Sequence, residues 1–276
     1  MDRTDLLLWL AIQEDICHGD VTTESVIDPG AVGQAFVFGR ESFVLSGSRP
    51  FYKVFNLIDP GVEVTSLFRD GERIEAKTHA FRLQGRIQSL LKGERTALNL
   101  VQRLSGIATL TRQMVDAMAG ASCRLLDTRK TTPLWRALEK EAVRHGGGAN
   151  HRFGLYDGVL IKDNHIAAVG GVREAVQRAR QGVSHTLKVE VEVETLHDLE
   201  AAIEAGADVI LLDNFSPEDL KTAVALTAGR CLLEASGGVT LDRIRAIAET
   251  GVDFVSCGAL THSARAIDIS MEFATE

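Results

Sequence analysis

The chain has 276 residues, and at roughly 150 residues per domain that is enough for two domains, or for one large barrel with an appendage. Thirty Lys and Arg against 38 Asp and Glu leave a formal charge of −8, which excludes polyanion binding by bulk charge, because nucleic-acid affinity rests on neutralising phosphates with a basic face. An apolar share of 45% with 5 Pro is that of a globular chain and excludes a disordered one.

Taken from the N-terminus, the first feature is the apolar run Leu6 to Ile12. It is preceded by Asp2 and Asp5, followed by Gln13-Glu14-Asp15, and has no small-residue cleavage site, so it predicts a docked helix and not a signal peptide. No stretch approaches the ~18 apolar residues of a membrane span, and a cytoplasmic protein with neither membrane nor nucleic acid as partner is expected. Cys17, Cys123, Cys231 and Cys257 are far apart and form no CxxC. Neither a disulfide framework nor a zinc ribbon is indicated, and buried free thiols are expected.

Hairpin-like segments follow at 33–47, 62–68 and 80–91, joined by Asp59-Pro60-Gly61 and Asp70-Gly71-Glu72, turn sequences that predict an α+β region with antiparallel strands. A long helix is predicted from Gly93 to Ala119, with Leu98, Val101, Leu104, Ala108, Thr111, Val115 and Met118 recurring every three or four residues. Gly106 inside it costs ~1 kcal/mol against Ala, so a kink or a close contact is expected there. The domain boundary should fall along this helix, giving domains at 1–106 and 107–265.

From Arg124 onward short apolar runs alternate with helical patterns, the βα rhythm of a parallel sheet or barrel. The strand runs are 124–127, 159–162, 187–193, 209–213, 231–236 and 254–258. Leu196, Leu199 and Ile203, then Leu241, Ile244 and Ala248, mark helix faces between them. Ser216-Pro217 with Asp219 reads as a helix start, and Gly182, Gly206, Gly229 and Gly251 as helix ends.

In such barrels chemistry collects at the C-terminal strand ends. Here those ends carry Asp127-Thr128-Arg129-Lys130-Thr131-Thr132, Lys162-Asp163-Asn164-His165, Glu190 and Glu192, Asp213-Asn214, Ser236-Gly237-Gly238 and Gly258-Ala259. The two glycine-bearing ends suit a phosphate, with Thr240 opening a helix that points at it. Glu192 and Asp213 suit Mg²⁺ held with the oxygens of a polyphosphate ligand, against the plainer reading of ion pairs with the nearby cations. His145 and His151 flank Gly146-Gly147-Gly148 with no carboxylate beside them, so zinc is not indicated. Arg129, Lys130, Arg152 and Lys162 around one mouth would repel one another without an anionic substrate, and His151 adds a planar donor.

The ordered segments DTRKTTP from Asp127, GGGANHRFGLYDGVLIKDNHI from Gly146, EVEVE from Glu190, LLDN from Leu211, EASGGVT from Glu234 and SCGALTHS from Ser256 closely resemble quinolinate phosphoribosyltransferase, the decarboxylating family of NAD synthesis. EDICHGDVTT from Glu14 and GERTALN from Gly93 extend the resemblance over nearly the whole chain. A related family of the same fold linked to molybdenum transport lacks the IKDN segment. A nicotinate-type transferase would not need so many cations, and a barrel that only binds a phosphorylated metabolite leaves Glu192 and Asp213 unexplained.

The resemblance implies an α/β fold: an incomplete α/β barrel of six or seven parallel strands with an N-terminal α+β open-sandwich domain, on which residues 266–276 pack back. It implies transfer of phosphoribose from phosphoribosyl pyrophosphate to quinolinate with Mg²⁺, yielding nicotinate mononucleotide, CO₂ and pyrophosphate. By motif position Arg129, His151, Arg152 and Lys162 would hold the quinolinate carboxylates, with Arg95 reaching in from the other subunit of a homodimer. Thr128, Lys130, Glu192, Asp213, Ser236-Gly237-Gly238 and Cys257-Gly258-Ala259 would hold the phosphoribosyl substrate and its metal, with Lys130, Lys162, Glu192 and Asp213 as the catalytic set. The chain departs from the usual pattern at Cys17-His18, Leu134-Trp135 and Cys257, and Trp135 bears on the shape of the loop that carries Arg129 and Lys130.

Overall fold

The computed structural model describes residues 3–274. They fall into two units, one of residues up to 110 with 133–147 and those from 264 on, the other of residues 111–132 and 148–263. Elements are numbered in chain order.

The first unit contains α1 (Arg3–Ile16), α2 (Val21–Val26), β1 (Val32–Gly39), β2 (Phe43–Val44), α3 (Ser48–Ile58), β3 (Glu63–Ser66), β4 (Arg73–Ile74), β5 (His79–Arg86) and the first part of α4 (Ile87–Ala117). It also contains α5 (Arg136–His145) and β12 (Ile269–Phe273). An antiparallel sheet runs β12-β1-β5-β3, so the last strand closes on the first. The period-2 alternation of β1 buries Ala35 and Val37, while Phe36 on the other face stacks on His79 at 4.5 Å. Against the buried face, α3 sets Phe51, Val54 and Phe55 on one side of a helix, and Phe51 stacks on Phe81 at 4.3 Å. Each such buried Phe contributes roughly 1.5–3 kcal/mol. The Leu6 to Ile12 run lies in α1, which buries Leu8 and Ile12 and leaves Leu6 and Leu10 exposed.

One expectation needs correction here. The long helix starts at Ile87, not Gly93, because Ile87, Leu90 and Leu91 continue the apolar stripe that begins again at Ala97. Gly93 is a packing position within it, since a Cβ there would lie 2.5 Å from the Phe55 ring. At Gly106 the structure shows a close approach: a Cβ would stand 2.0 Å from the Arg265 carbonyl oxygen. Gly106→Ala is therefore expected to destabilise the fold. The backbone collision, about 1–3 kcal/mol for overpacking, outweighs the ~1 kcal/mol helix gain of Ala, and a lower urea midpoint would register it.

Residues 133–147 belong to the first unit, although they lie between two barrel strands in sequence. Glu139, fully buried, takes Arg103 Nη2 at 2.9 Å, and Ser46 Oγ meets His145 Nδ1 at 2.9 Å. Trp135 and Leu138 pack on the first unit's apolar core. The Trp135 side chain thus serves that core, and Leu134 before it takes a left-handed φ of 70° that turns the chain.

In the second unit stand β6 (Arg124–Leu126), β7 (Val159–Ile161), α6 (Asp163–Val169), α7 (Val172–Gly182), β8 (Val189–Val193), α8 (Leu196–Glu204), β9 (Val209–Asp213), α9 (Pro217–Thr227), β10 (Leu232–Ser236), α10 (Ile244–Ala248), β11 (Phe254–Ser256) and α11 (Ala259–His262). The parallel sheet runs β6-β11-β10-β9-β8-β7. Consecutive strands are neighbours from β7 to β11, and β6 pairs with β11 at the far end, leaving the barrel open between β6 and β7. On the β6 side the segment around Ala149 makes a parallel bridge to Leu126. Ser216 caps α9 by accepting the Asp219 N–H at 3.1 Å, and Thr195 does the same for α8 from Asp198 at 3.1 Å. Of the cysteines, Cys123 and Cys257 are buried, but Cys17 is exposed and Cys231 half-buried, contrary to expectation.

Candidate active site

Strand alternation decides what the barrel interior contains. Along β8 the Val residues at 189, 191 and 193 are buried on one face, and Glu190 and Glu192 share the other. The register carries this face across the sheet: Glu190 lies level with Val209 and Leu232, Glu192 with Leu211 and Glu234, and Asp213 with Ser236. Four carboxylates therefore project from one face in ascending layers, a costly arrangement unless each is paired or protonated.

Glu192 is paired: its Oε2 takes the Lys162 ammonium, which follows β7 at the same level. Lys162 is itself fixed by its own N–H, which His165 Nδ1 accepts at 2.9 Å. Asp213 ends β9, where Asn214, in a left-handed conformation (φ 59°), gives its Nδ2 to Asp213 Oδ2 at 2.8 Å and its backbone N–H to Ser236 O at 2.9 Å. Gly237 and Gly238 follow with φ of 90° and 56°, so that successive N–H groups form a concave donor surface of the kind that binds anions. A Cβ at Gly237 would lie 2.2 Å from Asn214 Oδ1, so only glycine fits. The helix that Thr240 was expected to open is shorter than foreseen: turns follow Thr240, and α10 begins only at Ile244. Arg243, which the sequence reading passed over, sits on this turn with Nη1 2.9 Å from Gly238 O.

At the β6 end, Asp127 is fully buried and accepts from Asn150 Nδ2 at 2.5 Å and His151 N at 2.9 Å. This anchors the 149–152 segment and brings His151 and Arg152 in from the open side. Burial pushes the Arg152 pKa below its usual value, and Arg129 adds to this as a neighbouring like charge; Arg152 Nη1 donates to Gly158 O at 3.0 Å, and its Nε is buried without a partner. Lys130 is exposed; Thr128 Oγ1 accepts its N–H at 3.0 Å, and Thr261 Oγ1 donates to its carbonyl at 2.8 Å. Its stem lies against Gly258, where a Cβ would be 2.9 Å from Lys130 Cδ. Cys257 is buried with its thiol 3.6 Å from Val239 O, so the side chain is structural, and Ala259 opens the four-residue α11.

His151 has carboxylates beside it after all. Its Nε2 stands 3.1 Å from Glu190 Oε2 and 3.7 Å from Glu234 Oε2. No local spacing announces this, because the acids arrive from strands roughly 40 and 80 residues downstream; Glu234, a lone acid in an otherwise apolar strand, was the available signal. The three side chains, with Arg152, Asp157 and Lys188, line a cavity of about 380 Å³ that reaches down to the strand starts at Val209, Leu232 and Phe254. The second unit thus brings Arg129, Arg152, His151, Lys162, Glu192, Asp213 and the Ser236–Gly238 turn onto one barrel. Arg95 belongs to the first unit, where it projects from α4 more than half exposed, 4.0 Å from Glu94 Oε1.

A parallel barrel whose strand ends combine cations, paired carboxylates and a glycine anion cradle defines an enzyme class that binds a phosphorylated, anionic substrate. Residues 20–105 match the family described as quinolinate phosphoribosyl transferase, N-terminal domain, and residues 107–272 its C-terminal domain; the chain belongs to the quinolinate phosphoribosyltransferase family. It is 45% identical to the probable nicotinate-nucleotide pyrophosphorylase (carboxylating) of Bacillus subtilis (strain 168), over 94% of this chain and 89% of the relative. It is 42% identical to the nicotinate-nucleotide pyrophosphorylase (carboxylating) of Mycobacterium leprae, over 95% and 94%. The solved nicotinate-nucleotide pyrophosphorylase of Francisella tularensis superposes with a TM-score of 0.95 at 43% identity, covering 99% of this chain and 96% of that one.

Proposed function

We infer that this protein transfers phosphoribose from phosphoribosyl pyrophosphate to quinolinate and decarboxylates the product, giving nicotinate mononucleotide, CO₂ and pyrophosphate in NAD biosynthesis. The observation that carries this reading is the division of one barrel into a cation side (Arg129, Arg152, Lys162) and a carboxylate side with an anion cradle (Glu192, Asp213, Ser236 to Gly238). Two ring carboxylates need at least two fixed cations, and guanidinium groups grip them in a planar, bidentate way that sets the ring's orientation. The ring nitrogen then faces the anomeric carbon. Lys130 and the Ser236–Gly238 N–H groups meet the phosphate groups, and as pyrophosphate departs they take up its growing charge while the sugar becomes oxocarbenium-like.

Once the nitrogen is alkylated, the pyridinium accepts the electron pair of the breaking C–CO₂ bond, and the ring carbon then takes a proton. Placement and exclusion of water are what the protein contributes to that step. Asp213 and the Glu192 oxygen not taken by Lys162, on one face of adjacent strands, would suit Mg²⁺, which takes one or two carboxylates and completes its shell with phosphate oxygens. Bound there, the metal would neutralise charge on the pyrophosphate. The protein acts in the cytoplasm as a homodimer, with Arg95 of each subunit completing the other's site.

The test is incubation with quinolinate, phosphoribosyl pyrophosphate and Mg²⁺ while CO₂, pyrophosphate and nicotinate mononucleotide are measured. Equal amounts of the three are expected, with turnover lost on chelation and restored by Mg²⁺. Pyrophosphate without CO₂, or nicotinate serving equally well, would contradict the assignment.

A further inference from the structure

Glu190 and Glu234 lie beneath the cation side, 7% and 2% exposed, and neither belongs to the set that the motifs assign to substrate or metal. Together with His151 they present three groups whose facing atoms all lie within 4.8 Å of one another. One oxygen of each acid, Glu190 Oε1 and Glu234 Oε1, is buried with no hydrogen-bond partner. Two buried carboxylates at this spacing need either a metal or a proton between them.

The imidazole decides which. Arg152 N–H, which can only donate, points at His151 Nδ1 at 2.7 Å, so Nδ1 is the acceptor and the ring proton sits on Nε2, facing the acids. A histidine that ligates a metal through Nε2 must offer Nδ1–H to an acceptor; here Nδ1 meets a donor. Apart from the Ser256 hydroxyl beside Glu234, the single imidazole N–H is left to serve both acids.

We propose that Glu234 is a positioning residue that works as a neutral carboxylic acid: its proton supplies the missing donor in the Glu190–His151–Glu234 cluster, holds His151 and Arg152 in place, and keeps a second negative charge out of the floor of the dicarboxylate site. Its surroundings support this. Burial first, then the Glu190 charge, push Glu234 up to about 7, against smaller opposing effects of His151 and the Ser256 hydroxyl. The Cys123 thiol, which also feels Glu234, is itself pushed up to about 12 and stays neutral. The other charged groups around the cavity are Arg152 with Arg129 beside it, Asp157 and Lys188; Arg152 Nη1 is held by the Gly158 carbonyl, and its guanidinium also feels the Glu190 and Asp157 charges.

The functional consequence rests on quinolinate as the substrate. Below pH 7 Glu234 is protonated and adds no charge to the cluster. Above it, Glu234 ionises, and the added charge competes with the substrate's carboxylates for Arg152 and repels them. Direct calorimetric titration with quinolinate from pH 6 to 9 is expected to show the wild-type Kd rising by about tenfold or more above pH 7. In Glu234→Gln, whose amide keeps the size and the donor but cannot ionise, Kd should stay within about twofold of its own pH 6 value. Comparison of the two proteins at each pH cancels the substrate's own titration.

A substrate-free measurement separates this proposal from the functional assignment. Infrared spectra of the wild type should contain the C=O band of a protonated carboxyl at pH 6 that is lost by pH 9 and is missing in Glu234→Gln. Absence of the band at pH 6, an alkaline loss of affinity that persists in Glu234→Gln, or stoichiometric Zn²⁺ binding removed by Glu234→Gln would overturn the proposal. A band that titrates as expected in a protein that binds no quinolinate would support it and overturn the substrate assignment instead.

Discussion

Lys162→Ala is expected to raise the KM for quinolinate by roughly ten- to a hundredfold while leaving the protein folded. Two effects combine. With Lys162 in the proposed role, the variant loses a charge-assisted contact to a substrate carboxylate, worth about 1.5–3 kcal/mol. It also strips Glu192 of its partner: the Lys162 ammonium holds the Glu192 carboxylate, whose side chain is 15% exposed, and without it an unpaired negative charge faces an anionic substrate. Folding should survive because Lys162 is 44% exposed and lies beyond the last ladder residue of β7. Steady-state kinetics with each substrate varied in turn would check this. A folded variant with wild-type KM for quinolinate would remove Lys162 from the substrate site. Glu192→Ala and Asp213→Ala should act mainly on the KM for phosphoribosyl pyrophosphate and on the Mg²⁺ requirement.

The second large effect is a gain. At quinolinate concentrations near the wild-type KM, Arg95→Ala and Lys162→Ala homodimers should each have little activity, yet co-expression of the two should restore about a quarter of wild-type sites. The arithmetic follows from the proposed homodimer, in which a two-fold axis would pair each barrel with the other subunit's Arg95. Random association makes half of the dimers mixed, and a mixed dimer holds one doubly damaged site and one intact site. Arg95 suits such a role because it is 60% exposed on α4 and its near neighbour Glu94, whose carboxyl burial pushes up, lies 4.0 Å away. Its guanidinium is exposed enough to meet an outside anion. Differently tagged subunits, purified as the mixed species, would give the measurement. Verified mixed dimers with no recovered activity would place Arg95 in its own subunit's site or outside any site.

Much of this protein is legible in one dimension because its periodicities are local. Leu199 with Ala202 on α8, the Ser216 cap of α9 and the alternation that puts Glu190 opposite Val191 are set by spacings of two to four residues, which backbone geometry converts directly into faces. The six strand runs and the residues at their ends followed from that pattern, and the ordered motifs then named the family. Where local pattern competed with packing, it misled. Gly93 looked like a helix boundary, and only the Phe55 ring against it explains a glycine in mid-helix. Residues 133–147 follow a barrel strand in sequence, yet Trp135, Glu139 and His145 find their partners in the first unit.

The sequence by itself determined the family, the barrel's strand content and the charged residues at its mouth, because those depend on residue identity and short-range order. Only the tertiary structure decided which charges share an environment. The Glu190–His151–Glu234 cluster joins a strand, a loop and a second strand that come together only after the sheet has formed, and the Arg152 N–H that fixes the His151 tautomer is visible only in coordinates. The physical reason is that burial and pairing set a carboxyl's charge, and both are properties of the surroundings that the folded chain supplies.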